Sequence, residues 1–505
     1  MSSTPAPAGV SRLLSERGGR HFTTKDHAMI ELRSFYIDGR WIASKSPAEQ
    51  ILFDASTEEP FGIVSLAGDA DVDAAVAAAR GALPAWTATD PAIRLAFVER
   101  MREVHLDRTE DMARAISQEM GAPIDLARAA QAGAGPRHMA NFIAAMKDFD
   151  FIRPLGPHAP NDRIALEPVG VAALITPWNW PISQITLKVA AALLAGCTVV
   201  LKPSEIAPLS ATVFAEVIEA AGLPRGVFNL VNGDGPGAGN RLATHPDVDM
   251  VSFTGSTRAG ISITRAAADS LKRVALELGG KGANLVFADA DDKAVERGVR
   301  QCFVNSGQNC NAPSRMLVER SVYQRSVETA AEVARSIAVG PSSQPGPHMG
   351  PVVSERQFER IQDLIEKGIA EGARLVAGGP GRPPELNRGY FVQPTVFADV
   401  SNDMTIAREE IFGPVLSIIP FDSEEEAISI ANDTPYGLTN YVQSQDGERR
   451  NRIARLLRSG MVEMNGQPRG AGSPFGGVKA SGRAREGGRW GIEEFLDVKS
   501  ISGWA

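Results

Sequence analysis

Cys310 closes a polar, turn-forming run, Asn305-Ser306-Gly307-Gln308-Asn309-Cys310, and lies downstream of a lone glutamate in Leu276-Glu277-Leu278-Gly279-Gly280-Lys281. A thiolate can form a covalent adduct with an electrophilic carbon, and a carboxylate can then activate water to resolve it. Upstream, Asn179 in Thr176-Pro177-Trp178-Asn179-Trp180-Pro181 offers a side-chain amide able to hold an oxyanion. Three separated segments thus supply nucleophile, base and electrophilic support, and the chain reads as an enzyme. Each segment alone also has a plainer reading. A single cysteine in a loop is often inert, and Glu277 could pair with Lys272 or Lys281 at the surface.

Three further turns suit a nucleotide, again with a structural alternative beside each. Gly255-Ser256-Thr257-Arg258-Ala259-Gly260 follows a strand and opens a helix, so free N–H groups there could hold a phosphate with Ser256 adding a hydroxyl. Its spacing is not the G-x-G-x-x-G fingerprint, and glycine turns before helices are common. Lys202 and Glu205 sit just past a buried strand, where a carboxylate can accept both ribose hydroxyls and repel a 2′-phosphate; the pair could equally be solvated charges. Glu410 and Phe412, before Gly413-Pro414, could grip a second ribose and a nicotinamide ring, or be a surface acid beside a core aromatic. The other two cysteines, Cys197 in an apolar run and Cys302 in a helical pattern, suit packed, inert thiols.

These turns need strands and helices to hold them. Val171–Ile175, Thr198–Leu201, Phe228–Val231 and Met250–Phe253 read as buried strands, each followed by a turn and a helix. That alternation predicts a Rossmann-like, doubly wound parallel sheet, with ligands beyond the carboxyl ends of its strands. Asp71–Leu83 and Ala92–Met120 have amphipathic helical spacing, the second stopped by Gly121 and Pro123. A second α/β unit is expected from Gly280, with helices near Asp291–Val304 and Glu355–Glu371 and a hinge at Gly279-Gly280.

At 505 residues the chain is too long for one core. Apolar content of 43% and charged content of 22% are those of a globular protein. A net charge of −8 argues against nucleic acid or an anionic membrane as partner. The longest strongly apolar run, Val189–Leu201, is shorter than the about 20 residues a bilayer requires. Three cysteines without a CxxC pair point to neither disulfides nor zinc, and the seven histidines form no i, i+4 pair; no metal is expected, and a reduced, cytoplasmic setting is. Residues 1 to 28 lack an apolar signal core and read as a floppy tail or a transit peptide, with Met29 as an alternative start.

Seven collinear motifs, TPWNWP, LKPSE, FTGSTRAG, LELGGK, NSGQNC, EEIFGP and SPFGG, resemble the NAD(P)-dependent aldehyde dehydrogenase superfamily over Phe35 to Ser502. The resemblance implies Cys310 as nucleophile, Glu277 as general base, Asn179 as oxyanion donor and Lys188 near the proton network. It places Lys202 and Glu205 at the adenosine ribose and Ser256 at the pyrophosphate, with Ser204 also in the cofactor set. Glu410 and Phe412 fall at the nicotinamide half, with Thr176, Pro177, Trp178, Gly235, Phe253, Gly255 and Leu278 completing the cofactor set. Trp180, Gln184, Leu187, Val304, Asn309, Asn311 and Phe475 would line the substrate tunnel.

The activity implied is oxidation of an aldehyde to its acid by NAD, with NADP secondary, in the general aldehyde dehydrogenase (NAD+) class. The intermediates are a thiohemiacetal and then a thioester, hydrolysed because Glu277 is present. The implied architecture is a dinucleotide-binding domain (31–149 and 169–279), a catalytic domain (280–480) and a bridging segment (150–168 and 490–505) supporting a homodimer or homotetramer, behind a tail over 1–30. Asn309, Asn311, Gln184 and Arg469 hint at a polar aldehyde or semialdehyde. Ala484 stands where the family pattern has glycine, and the loop Gly466–Gly472 lacks an aromatic residue. Two other classes remain at this stage: a cysteine hydrolase without redox chemistry, and a nucleotide-binding protein that has lost catalysis.

Overall fold

The computed structural model describes residues 29–504. The readings of residues 1–28 as a tail or transit peptide lie outside the described residues. Two seven-stranded sheets organise the chain. In the first, the strands follow the order 273–277, 250–254, 171–175, 198–202, 228–230, 34–37 and 40–43. The first five are mutually parallel, and the last two form an antiparallel hairpin on the edge.

Val171–Ile175 explains why such strands are continuous apolar runs. Val171, Ala173 and Ile175 pack into one core with Val72, Val76 and Ala79 of the helix Asp69–Thr87. Ala172 and Leu174 pack into the other, with Ile185, Val189 and Leu193 of the helix Pro181–Ala195. A strand covered by helices on both faces has no polar side to alternate with. The chain leaves 171–175 through 198–202 to 228–230, then returns to the other side of 171–175 for 250–254. The crevice between 171–175 and 250–254 is therefore the topological switch point, where open α/β sheets bind ligands.

The second sheet has the order 374–377, 395–398, 415–421, 315–319, 283–286, 439–443 and 461–464, all parallel except the 374–377 edge. It too is sandwiched: Leu285 and Leu317 face one core, Val286, Met316 and Val318 the other. Small three-stranded sheets complete the fold, one from 30–32, 60–65 and 49–53, the other from 496–502, 159–168 and 152–156.

Several boundaries differ from the sequence reading. Ala92–Met120 is two helices, Pro91–Asp107 and Thr109–Met120, broken at Arg108, whose side chain binds Asp111 and Glu216. The helix expected over Asp291–Val304 covers only Ala294–Phe303, and the strand expected to Val231 ends at Leu230. In the 490–505 segment, the sheet begins only at Leu496, because Gly488–Glu493 is a helix packed on Phe142. No described helix is long and apolar enough to cross a membrane.

Candidate active site

The carboxyl edge of the first sheet meets the amino edge of the second at the segment Glu277–Gly280. Gly280 lies against the Cys310 carbonyl, closely enough that a Cβ there would come within 2.4 Å of it. Arg315, the first residue of its strand, donates its N–H to the Gly282 carbonyl at 3.2 Å. Nucleophile loop and base-bearing strand are thus joined through backbone contacts.

The turn before Cys310 is wound left-handed at three consecutive residues, Asn305 (φ 55), Ser306 (φ 57) and Gly307 (φ 71). Such a run is costly for non-glycine residues and persists only when its surroundings fix it. Here they do. Ser306 Oγ donates to the Gly350 carbonyl (2.8 Å), and Asn305 Nδ2 donates to the Asn179 carbonyl (2.9 Å) while its Oδ1 accepts from Gln131. Fully buried Gln308 donates to the Asn305 carbonyl and accepts from the Val353 N–H.

Cys310 is half-buried and shared by two cavities. One, of about 660 Å³, is lined by all seven residues expected at the substrate tunnel: Trp180, Gln184, Leu187, Val304, Asn309, Asn311 and Phe475. Arg137, His138, Asn141, Arg469 and Glu486 also line it. The other, of about 210 Å³, opens at the switch point and is lined by Pro177, Trp178, Gly255, Ser256, Leu278, Glu410 and Phe412 together with Asn179, Thr254 and Arg360. Gln184 also belongs to both. The reacting sulfur therefore sits at the junction of a tunnel and a cleft.

Asn179 Nδ2 donates to the Gln308 carbonyl at 3.0 Å, which aims the amide at the nucleophile loop. The Cys310 N–H makes no hydrogen bond among the described residues, leaving it free for an oxyanion. Desolvation pushes the Cys310 thiol up to about 12, with the carboxylates of Glu410 and Glu277 adding to the rise and Arg469 opposing it.

Glu277 is buried rather than paired at the surface. Lys272 Nζ is spent on the His245 and Val248 carbonyls, and Lys281 Nζ is itself buried without a partner. The burial comes from far along the chain: Ala484 and Leu278 bond across 276–278 to Leu276 and Ser481, so residues 481–484 cover this sheet edge. Both Glu277 carboxylate oxygens lack hydrogen-bond partners among the described residues. Burial first, then the charge of Glu486, holds its pKa well above the usual carboxylate range, against Lys188 and Arg485. Lys188 Nζ bonds Glu486 Oε1 at 2.5 Å and Ser252 Oγ at 3.1 Å. Glu486 was not among the sequence candidates; it follows Lys188 by nearly 300 positions and no local pattern marks it. Ala484 itself needs no special backbone, and its methyl is buried in the core that holds Ala172 and Leu174.

The carboxyl edge of the first sheet carries polar groups that suit a dinucleotide. Buried hydroxyls of Thr176 and Thr254 and the Asn232 side-chain oxygen, all at or just past carboxyl ends of parallel strands, have no partner among the described residues. Lys202 Nζ is held by the Pro203 (2.9 Å) and Gly233 (2.6 Å) carbonyls, with the part-exposed Glu205 carboxylate 3.8 Å away and free to accept hydroxyls. Trp178 and Phe412 meet edge to face at 5.5 Å, and Phe412 holds a left-handed φ of 58°. Glu410 accepts the Gly280 N–H at 2.8 Å, and burial raises its pKa to about 7. Ser256 caps the helix Thr257–Ala268 through the Ala259 N–H. Thr176, Lys202, Ser204, Glu205, Gly235 and Phe253 lie outside the 210 Å³ cavity. Phe253 is instead buried in the core beneath Gly255, whose Cβ would strike its ring.

A model of the aldehyde dehydrogenase family matches residues 41–501. This chain belongs to the aldehyde dehydrogenase family. It is 50% identical to a 3-succinoylsemialdehyde-pyridine dehydrogenase from a Pseudomonas species, over 94% of this chain and 99% of that one. Among solved structures it is similar to an aldehyde dehydrogenase from Bartonella henselae (TM-score 0.93, 57% identity, 94% and 100% of the two chains). It is also similar to aldehyde dehydrogenase C from Pseudomonas syringae, solved with NAD+ and octanal (TM-score 0.92, 48% identity, 94% and 97%). Family membership, with a cleft beside the thiol, removes the hydrolase and inert-binder readings.

Proposed function

We propose that this aldehyde dehydrogenase oxidises an aldehyde bearing polar groups to its carboxylic acid with NAD as acceptor. The carrying observation is that one sulfur, Cys310, belongs to both a substrate-sized tunnel and a second cavity that opens at the topological switch point of the first sheet. A Pseudomonas relative named for a semialdehyde supports a polar substrate. Glu205 supports NAD over NADP, because a carboxylate at that ribose repels a 2′-phosphate. NAD-bound structural relatives support the same choice.

In this reading Cys310 Sγ attacks the aldehyde carbon, and the resulting oxyanion is held by Asn179 Nδ2 and the Cys310 N–H. Two such donors each contribute about 10²–10³ in rate in acyl-transfer sites. A bound nicotinamide supplies the two-electron acceptor for the thiohemiacetal, leaving a thioester on Cys310. Glu277 removes a proton from the water that hydrolyses it; Glu486, which lines the tunnel and bonds Lys188, offers that proton a route outward. Glu410 and the Trp178–Phe412 pair would hold the nicotinamide half, and Lys202 and Glu205 the adenosine half. The domain assignment is proposed accordingly: NAD-binding from 31–149 and 169–279, catalytic from 280–480, and a bridging sheet that joins copies into a dimer or tetramer. Three free thiols favour a reducing, cytoplasmic compartment.

Absorbance of NADH across a panel of aliphatic, aromatic and oxygenated aldehydes tests the reading. Turnover in the wild type and none in Cys310→Ala is expected. Equal turnover by both would overturn it.

A further inference from the structure

Most polar side chains of the tunnel are already committed. Trp180 Nε1 donates to Asn309 Oδ1, and Asn309 Nδ2 donates to the Val304 carbonyl, so Asn309 has little left for a substrate. His138 is bonded to Ser183 Oγ at 2.9 Å, and burial lowers its pKa to about 4, keeping it neutral. Arg469 is paired with Glu463 at 3.0 Å and stacked over the Phe475 ring at 4.7 Å. Asn141, Gln301 and Asn311 are half-exposed and can be served by water.

Gln184 differs from all of these. It is buried, its Oε1 has no hydrogen-bond partner, and its side chain makes no hydrogen bond at all among the described residues. An uncommitted buried amide costs stability unless something binds it. The helix Pro181–Ala195 gives the reason for its placement: Gln184 stands one turn from Trp180, its N–H bonded to the Trp180 carbonyl at 3.0 Å. That turn aims the amide at the join between tunnel and cleft, where it and Cys310 both line the two cavities. An apolar side chain there would serve a plain alkyl aldehyde better.

We infer that Gln184 is a specificity-determining residue that reads an oxygen function, hydroxyl or carbonyl, on the substrate carbons next to the reacting aldehyde. Whichever way its amide is turned, it presents a donor and an acceptor, so it serves either group. The inference rests on the aldehyde-oxidising reading and names the substrate class for that same site. It places recognition close to the reacting carbon rather than at the tunnel mouth, where the exposed Arg137 lies. The favoured substrates are thus short hydroxy- or oxo-aldehydes, not unfunctionalised chains of equal length.

The experiment compares kcat/KM for a straight-chain alkanal and its hydroxy- and oxo-substituted counterparts in wild type, Gln184→Met and Gln184→Glu, at saturating NAD. Methionine keeps the length and removes the hydrogen-bonding atoms; glutamate keeps an acceptor but adds charge. The wild type is expected to favour the oxygenated partner by about tenfold, the value of one buried hydrogen bond. Gln184→Met should erase that ratio by lowering kcat/KM for the oxygenated partner toward that of the alkanal. A ratio near one in the wild type, or a ratio kept in Gln184→Met, would overturn the inference. Equal loss on both substrates in Gln184→Met would also overturn it, by assigning Gln184 a structural role. NADH formation from the plain alkanal by the wild type tests aldehyde oxidation separately, so the two readings fail in different columns of the same data.

Discussion

A general base must be unprotonated to work, yet Glu277 is held in a place that favours its proton. Burial with no hydrogen bond to either oxygen, and the nearby Glu486, raise its pKa. A carboxyl whose folded pKa exceeds its unfolded value of about 4.3 binds its proton more tightly when folded. Its folded state is therefore fully favoured below that unfolded value and loses stability as pH rises toward the folded one. Glu277→Gln removes the ionisation and so should melt above the wild type at pH 8, with the gap shrinking at pH 5.5. Thermal melts at both pH values check this, and a gap independent of pH would contradict it. The same variant should release a burst of NADH and then stall with the thioester on Cys310, visible by intact mass. Cys310, Glu277 and Asn179 were legible as candidates through the motifs that hold them, since singly each has a plainer reading. Glu486 and Ser252 were not legible, because their bonds to Lys188 span intervals that no local pattern encodes.

The elements were legible to differing depth. Continuous apolar runs such as Val171–Ile175 and Thr198–Lys202 betray strands covered on both faces, and those were found almost to the residue. The break at Arg108 was hidden because helical spacing continues through it. The three left-handed residues before Cys310 were visible only as a turn, since Asn, Ser and Gly tolerate many turn conformations. Their importance can be measured through Gly307. Its φ is +71°, and a Cβ there would lie 2.1 Å from the Gly413 carbonyl oxygen, so the whole turn must shift. Gly307→Ala should lower kcat by about 10²-fold, the scale expected when a reacting group is displaced by about 1 Å. Gly372→Ala makes the control: φ is +92° with nothing within 4 Å of the added carbon. It should lose about 1 kcal/mol of stability in urea and keep its kcat. Equal kcat losses in the two variants would show that the turn does not position the thiol.

At the scale of the whole molecule, the two sheets leave the third domain element exposed. The sheet of 152–156, 159–168 and 496–502 carries Val498 at 70% exposure, Ile152 at 50% and Leu155 at 42%, and about half of its residues are exposed. Three strands with so little burial are marginal alone and call for a surface to rest on. A second copy of the chain meets that need and accords with the bridging role the resemblance implies. The charge composition says nothing of this, and the bridging reading of 150–168 and 490–505 rests on the resemblance alone. Val498→Lys puts a cation on the edge strand 496–502 of this sheet, where burial against a partner would cost several kcal/mol. Sedimentation should then find wild type as a dimer or tetramer and the variant shifted toward monomer. Cys310 and both of its cavities lie away from the arm, so the monomeric variant should still turn over aldehyde. A variant that keeps the wild-type mass would place the assembly surface elsewhere and leave the arm's apolar face without its occupant.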